Sequence, residues 1–295
     1  MSVHTAYTDR RGYDPAFLGV PVPMPTLSAA AREKAFTFDG VDGAAALELK
    51  YHNFSVIMNR EARLAFVAAV NLNGAATFRQ TREGSDRWFR DPRLDEAFQA
   101  GNEFYSDNPL DRGHLVRRAD AAWGSTAAEA AAANEDTFHF TNCSPQHEVF
   151  NQARKAQKQD LLLWGNIEEY IAAHADTDRQ RVSIFNGPVI RASDRLHRGL
   201  RVPREFWKIV VSAAPGSRKV KALAFVLSQE SLIADLPLEA FVAGPYRPYQ
   251  MKVRAIETRT GLQFANLKLA DPLETGAFES ASHAVPLSSL ADIVM

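Results

Sequence analysis

Two apolar, β-rich runs stand almost back to back, Phe54-Ser-Val-Ile-Met-Asn59 and Arg63-Leu-Ala-Phe-Val-Ala-Ala-Val-Asn-Leu72, with only a short polar stretch between them. Such runs predict a β-hairpin, and a sheet has to be built around it. Further strands are predicted at 182–185, 206–212 and 220–227, with a short one at 138–141. Helical signals are uneven. Residues 27–36 read as a short helix with Thr26 as N-cap, and the alanine-rich 126–134 as helical or low-complexity. Residues 149–174 carry Leu163, Trp164, Ile167, Tyr170 and Ile171 at helical spacing. A last helix is predicted at 253–258, before a Gly261 stop. Strands separated by long irregular segments indicate an α+β fold, a central, mostly antiparallel sheet with flanking helices, rather than a regular βαβ array.

The chain has 295 residues and shows neither an internal repeat nor a linker. The Pro- and Gly-rich residues 1–26 read as an extended arm wrapped on the surface, or as a loose tail, and residues 27–295 as a single domain. One cysteine, Cys143, excludes an intramolecular disulfide and is expected to be a small buried filler. The N-terminus carries charges where a signal peptide would have an apolar run, and no stretch approaches the length of a membrane span. A cytoplasmic protein without a membrane partner is the expectation, with export by a route other than a Sec signal left open. With 34 basic and 35 acidic residues the net charge is -1, so any polyanion must be bound locally rather than by bulk charge.

The densest polar cluster is Asp111-Arg112-Gly113-His114, followed by Arg117 and Arg118. Strand alternation would put Arg112 and His114 on one face, where a guanidinium and an imidazole can converge on a phosphate. Glycine between them permits a tight turn and close approach of a ligand. By itself the cluster also fits a surface turn. A second cluster runs Thr141-Asn142-Cys143-Ser144-Pro145-Gln146, then Phe150-Asn151-Gln152. Amides with few carboxylates suit a hard cation that keeps its waters; Asn151 fits a helix cap equally well. His147 lies near enough to be a competing base, and His139 has no assigned role. Arg79, Arg82, Arg87, Arg90 and Arg93 fit either a phosphate-contacting groove, together with Arg117 and Arg118, or a solvated surface balanced by nearby acids. Trp123 and Trp207 are expected in the core.

Taken in order, DRGH, TNCSPQ, FNQ and Trp164-Gly-Asn-Ile-Glu168 resemble the DNA/RNA non-specific endonucleases, the endonuclease G-like family with a ββα-metal active site. FNGPVI, VPREFWKIVV, KALAFVLSQ and IETRTGLQF are similar to later elements of the same family, so the resemblance covers most of the chain. It implies a sugar-non-specific phosphodiesterase acting on DNA and/or RNA. It implies His114 as general base, Arg112 at the scissile phosphate, Asn142 as a brace, and Asn151 as the one direct ligand of Mg²⁺, Mn²⁺ or another divalent cation. Glu168 would hold a water of that ion, Asp111 would fix the local backbone, and Arg79, Arg117 and Arg118 would contact substrate. A homodimer is compatible with the resemblance. A silent nucleic-acid-binding module on the same fold and a phosphodiesterase for small nucleotides are the competing readings. One departure stands out. Glu168 falls 17 residues after Asn151, roughly 100° out of line on an unbroken helix. Either residues 153–160 loop out or another residue takes the role; Gln159 has the usual spacing but no charge.

Overall fold

A computed structural model of the chain describes residues 7–80, 87–151, 180–214, 216–233, 248–274, 284–287 and 292–294. The strands that matter here are β1 (Glu48–Lys50), β2 (Phe54–Asn59), β3 (Leu64–Asn73), β4 (Leu110–His114), β5 (Cys143–His147), β6 (Arg181–Val189), β7 (Glu205–Ala213), β8 (Val220–Ser228), β9 (Pro248–Met251) and β10 (Ala284–Pro286). Eight of them form one antiparallel sheet in the order β10-β9-β8-β7-β6-β3-β2-β1. The remaining two, β4 and β5, pair with each other. The helices used below are α1 (Ala29–Glu33), α2 (Arg118–Ala121), α3 (Ala127–Asp136), α4 (Glu148–Asn151) and α5 (Val253–Thr260). The α+β class expected from the sequence, with a central antiparallel sheet, is the observed one.

The apolar runs are nearly continuous because the sheet is covered on both faces. On one face Val56, Met58, Val70, Ile184, Phe206 and Leu227 meet Leu94, Phe104, Leu110, Leu115, Phe140 and Phe150. On the other, Ile57, Phe66, Ala69, Phe185, Trp207 and Ile209 meet Ala31 of α1, Val253 and Ile256 of α5, and Phe264. Trp207 is fully buried, as expected. Burial of one such large side chain is worth roughly 2–3 kcal/mol, which explains why few polar positions interrupt these strands.

The predicted hairpin is β2–β3, with a register shift at Ile57/Met58. The second strand's sheet neighbour on its other side is β6, starting from Asn73 opposite Arg181. The described residues between these paired positions, 74–80, 87–151 and 180, lie outside the eight-stranded sheet. The first covered face described above is built largely from this excursion.

Several local expectations need correction. The first helix starts at Ala29 with Ser28 as its cap, the hydroxyl accepting from Ala31 N–H. Thr26 instead lies in a short strand, Thr26–Leu27, paired with Leu262–Gln263. Residues 138–141 are not a strand. Phe138 ends a turn, His139 makes a lone bridge to Phe89, and Phe140–Asn142 is a 3-10 turn. The described part of the N-terminal arm is packed: Tyr13 and Val22 enter the second core, and Tyr13 N–H donates to Ser55 Oγ at 2.8 Å. The alanine stretch is a helix capped by Thr126. Helix α5 ends on Gly261 with φ of 72°, the left-handed geometry that favours glycine at a helix end. No described helix is long and apolar enough to cross a membrane.

Candidate active site

The site is a small ββα unit, β4, β5 and α4, standing on the first face of the sheet. Strands β4 and β5 are antiparallel, with Asp111 opposite Gln146, Arg112 opposite Pro145, Gly113 opposite Ser144 and His114 opposite Cys143. Alternation places Leu110, Arg112 and His114 on one side of β4, and Asp111 and Gly113 on the other. Leu110 enters the core and anchors the strand.

The His114 ring lies in an aromatic bay. Trp88 is 4.5 Å away between centroids, inclined at 46°, and Phe138 is 5.1 Å away, edge-on at 79°. Aromatic walls fix an imidazole in orientation without charging it. Arg112 is held by two groups on the preceding loop. Its Nε donates to Asn102 Oδ1 at 2.9 Å, and its guanidinium carbon lies 5.7 Å from the centre of the Tyr105 ring.

Asn142 is fully buried and lies behind His114. Its Nδ2 donates to Val116 C=O at 2.9 Å and Thr137 C=O at 3.0 Å, and its Oδ1 accepts from Val116 N–H at 2.8 Å. Its own carbonyl accepts from Leu115 N–H at 2.9 Å. These bonds tie the chain after His114 to the turn that carries Phe138.

Asn151 lies within α4, not ahead of it, so it does not cap that helix's N-terminus. Its Nδ2 donates to Asp111 Oδ2 at 3.0 Å. Asp111 therefore orients the Asn151 amide as well as belonging to β4. Gln146, opposite Asp111, is buried, and its Oε1 is a shielded oxygen with no hydrogen-bond partner among the described residues. Gly113 makes room for it, since a Cβ there would overlap the Gln146 side chain. Glycine is required here by side-chain packing inside a strand rather than by a tight turn, a correction to the sequence reading.

The donors on this side of β4 are thus an amide oxygen of Asn151, the Asp111 carboxylate and the unpartnered Gln146 Oε1. An all-oxygen set with one carboxylate fits a hard divalent cation that retains water. Among the described residues no group of three or more His, Cys, Asp or Glu side chains could hold a metal. Glu168, Gln159 and Trp164 lie outside the described residues.

The other candidates separate. Arg117 stands at the N-cap position of α2 and is half-buried. Arg118 donates to Asn134 Oδ1 at 2.9 Å and lies over Phe138, 4.9 Å from its ring centre, so it buttresses the wall of the His114 bay. Arg79 donates to Asn73 C=O at 2.7 Å from a short strand paired with Trp123–Gly124. Arg90 is paired with Glu96 and Glu103, and buried Arg93 with Asp91. Both guanidinium groups are thus held by carboxylates. His147 is buried, and burial pushes its imidazole below the ordinary histidine value. His139 Nδ1 donates to Asp136 C=O at 2.8 Å and its Nε2 lies 2.8 Å from Tyr7 Oη; it ties the N-terminal arm to the turn before Asn142. Cys143 is buried, its Sγ 3.2 Å from Tyr105 Oη. Trp88, Asn102 and Gln146 were given no role by the sequence. Gln146 alone had a local signal, its place in the TNCSPQ cluster.

The fold and this unit mark the class, and comparison with known proteins agrees. The family model described as DNA/RNA non-specific endonuclease matches residues 33–271. The chain belongs to that family. It is 36% identical over 300 residues to the uncharacterized protein y4fB of Sinorhizobium fredii, covering 97% of this chain and 43% of that protein. It is 25% identical over 178 residues to mitochondrial endonuclease G of Bos taurus, covering 56% of this chain and 51% of the relative, and equally identical to the human protein. The chain thus spans about half the length of the curated relatives it matches. A chain in the crystal structure of the EndoG/EndoGI complex superposes with a TM-score of 0.56 at 17% identity, covering 78% of this chain and 88% of that one. That likeness is one of fold.

Proposed function

We propose that this protein is a metal-dependent endonuclease that hydrolyses phosphodiester bonds of DNA and/or RNA with little sequence specificity. The observation that carries the reading is the arrangement on β4. One short strand supplies His114 and Arg112 on one side and, on the other, the Asp111 that is hydrogen-bonded to the amide of Asn151. Membership of the DNA/RNA non-specific endonuclease family supports it.

His114 takes the proton of the attacking water. A neutral imidazole within reach of a water can accept its proton and so serve as base. Trp88 and Phe138 hold the ring still, so its orientation is set before substrate arrives. Arg112, aimed by Asn102, binds the scissile phosphate and offsets charge as it builds on the equatorial oxygens. Asn142 acts through the backbone and does not touch substrate. Asn151 would hold a Mg²⁺- or Mn²⁺-like ion, with Asp111 and Gln146 close by and Glu168 acting through water. The ion would supply polarisation of the phosphate and stabilisation of the leaving oxygen. None of these groups reads a base edge or needs a 2′-hydroxyl, so sequence and sugar go largely unread.

The test is nicking of supercoiled plasmid and cleavage of a structured RNA, with Mg²⁺, with EDTA, and with His114→Ala. Cutting that requires the metal and is lost in the variant is the expected result. Cutting that survives EDTA or the His114 substitution overturns the mechanism, and binding without cutting under any metal overturns the activity.

A further inference from the structure

We propose that the arginine-rich hairpin within residues 191–204 is a phosphate-binding wall for the nucleic acid that runs past the candidate site. The proposal rests on the nuclease reading above and supplies a surface to hold its substrate.

The strands Arg195–His197 and Leu200–Val202 pair antiparallel, with His197 opposite Leu200. Arginine occurs at 191, 195, 198, 201 and 204, while Asp194 is the one acidic residue of the segment. In a chain with a net charge of -1 this is a local excess of positive charge. Part of it is spent on structure. Arg191 pairs with Glu205, and Arg204 pairs with Asp194 at 3.1 Å and Glu230 at 3.0 Å. Arg198 and Arg201 differ. Their guanidinium groups donate to backbone carbonyls, of Glu103 at 2.8 Å and Asp194 at 2.9 Å. Among the described residues no carboxylate pairs with either one.

The tip is unusual. Arg198 has φ of 50° and Gly199 has φ of 77°, a two-residue turn with both residues left-handed. Glycine adopts that backbone freely, and Asn or Asp tolerates it, but an arginine carries a steric penalty there. An exposed arginine kept at such a position against local preference is the kind of outlier from which function is inferred.

Its location gives the strain a use. The tip rests on the loop that feeds β4. Arg198 is bonded to Glu103, the neighbour of the Asn102 that holds Arg112, and His197 Nε2 lies 3.4 Å from Asn108 Nδ2. Asn108 in turn accepts from Leu110 N–H, at the start of β4, at 2.9 Å. The hairpin's other side lines a cleft of about 550 Å³ with Arg191 and Arg201, facing Lys34 and Arg259. Lys34 is 3.4 Å from Glu61, whereas Arg259 donates to the carbonyl of Ala255 in its own helix. Arg198 therefore sets a guanidinium with no carboxylate partner among the described residues beside the loop that holds Arg112, and Arg201 sets another on the cleft side of the same hairpin. Polyphosphate backbone is the ligand chemistry that such a pair recognises.

The experiment measures binding of a fluorescent duplex DNA in EDTA over a salt series, for the full chain and for Arg198→Asn, Arg201→Gln and the double variant. Asparagine suits the left-handed tip, so Arg198→Asn is expected to fold with an unchanged or higher Tm while losing the contact. Each phosphate contact removed is expected to reduce the slope of log K against log salt by about 0.9, and the double variant to bind at least about tenfold more weakly at low salt. Hydrolysis of a small nitrophenyl phosphodiester should be unchanged, with the loss on long DNA appearing in KM. Affinity within twofold of the parent and an unchanged slope overturn the proposal while leaving the nuclease reading intact. A parent chain that neither binds nor cuts nucleic acid overturns both.

Discussion

Asn142 grips the main chain of Val116 from both sides: Val116 N–H donates to its Oδ1 at 2.8 Å, and its Nδ2 donates back to Val116 C=O at 2.9 Å. The grip falls two residues past His114, inside the core, where no water replaces a lost partner. Asn142→Ala leaves the buried Val116 N–H and two carbonyls without it. The expected cost is about 3 kcal/mol or more of unfolding free energy, at roughly 1–3 kcal/mol for each of the three buried groups left unsatisfied. Denaturant unfolding measures it, and a change under about 0.5 kcal/mol would contradict the grip.

Gly113→Ala tests the packing of Gln146 against β4. The new methyl would overlap the Gln146 side chain, so that amide must leave its position. Nuclease activity is expected to fall by at least about tenfold, with a stability loss of about 1–3 kcal/mol from overpacking. Gln146→Ala in the Gly113→Ala background should restore stability without restoring activity. Recovery of both would show that the Gln146 oxygen has no part in the chemistry.

His114→Ala should reduce cutting by about 10²–10⁴-fold, the usual worth of a positioned general base. The ring is only half-buried, so thermal stability should change little. A parallel collapse in Tm would mean that the ring serves to pack Trp88 and Phe138 instead.

Much of the architecture was legible because burial writes itself into apolar runs: residues 63–72 and 220–227 read as strands, and the structure covers both on each face. The DRGH and FNQ clusters were legible as chemistry because polar groups are costly to hold together without a use. Other features depend on partners far away in the chain. Phe-His-Phe at 138–140 alternates like a strand, yet Asn142 N–H donates to His139 C=O at 2.8 Å and curls it into a turn. Trp88 sits in a charged loop that gives no hint of His114. Thr26 lost the capping role to Ser28 because its own backbone pairs with Gln263. Gly113 was read as a turn maker, and nothing near it in sequence points to Gln146 across the ladder.

Asp91 supplies a pH prediction. Burial alone would raise its carboxyl, but hydrogen bonds from Arg93 and that residue's charge outweigh it and hold Asp91 below the ordinary carboxylate value. Arg93 Nη2 is 2.6 Å away, and Tyr51 Oη also donates to this carboxylate. A depressed folded value contributes stability that is complete above the unfolded value of about 4 and is lost as pH falls through the lower folded one. Asp91→Asn should therefore be less stable at pH 7 and show a flatter loss of stability as pH falls below about 4. Parallel acid-unfolding curves for the two proteins would refute the pairing.

Cys143 should be inert in the folded chain. Burial pushes its thiol up to about 12, so almost no thiolate is present at neutral pH. Ellman's reagent is expected to titrate no thiol at pH 8 until denaturant is added. Rapid labelling of the native protein would contradict the packing of β5 against Tyr105.

The pairing of Asn73 with Arg181 has a consequence for how such a molecule is assembled and altered. Residues 74–180, with most of the candidate chemistry, depart and rejoin at two positions already joined by the sheet. The closed base fixes both ends of the excursion, while its apolar side chains cover the first face of the sheet. Closure entropy rises only as the logarithm of loop length, so exposed turns within the excursion can lengthen at small cost. Its apolar footing cannot be exchanged so freely, because the side chains that seat the site also complete the core of the scaffold.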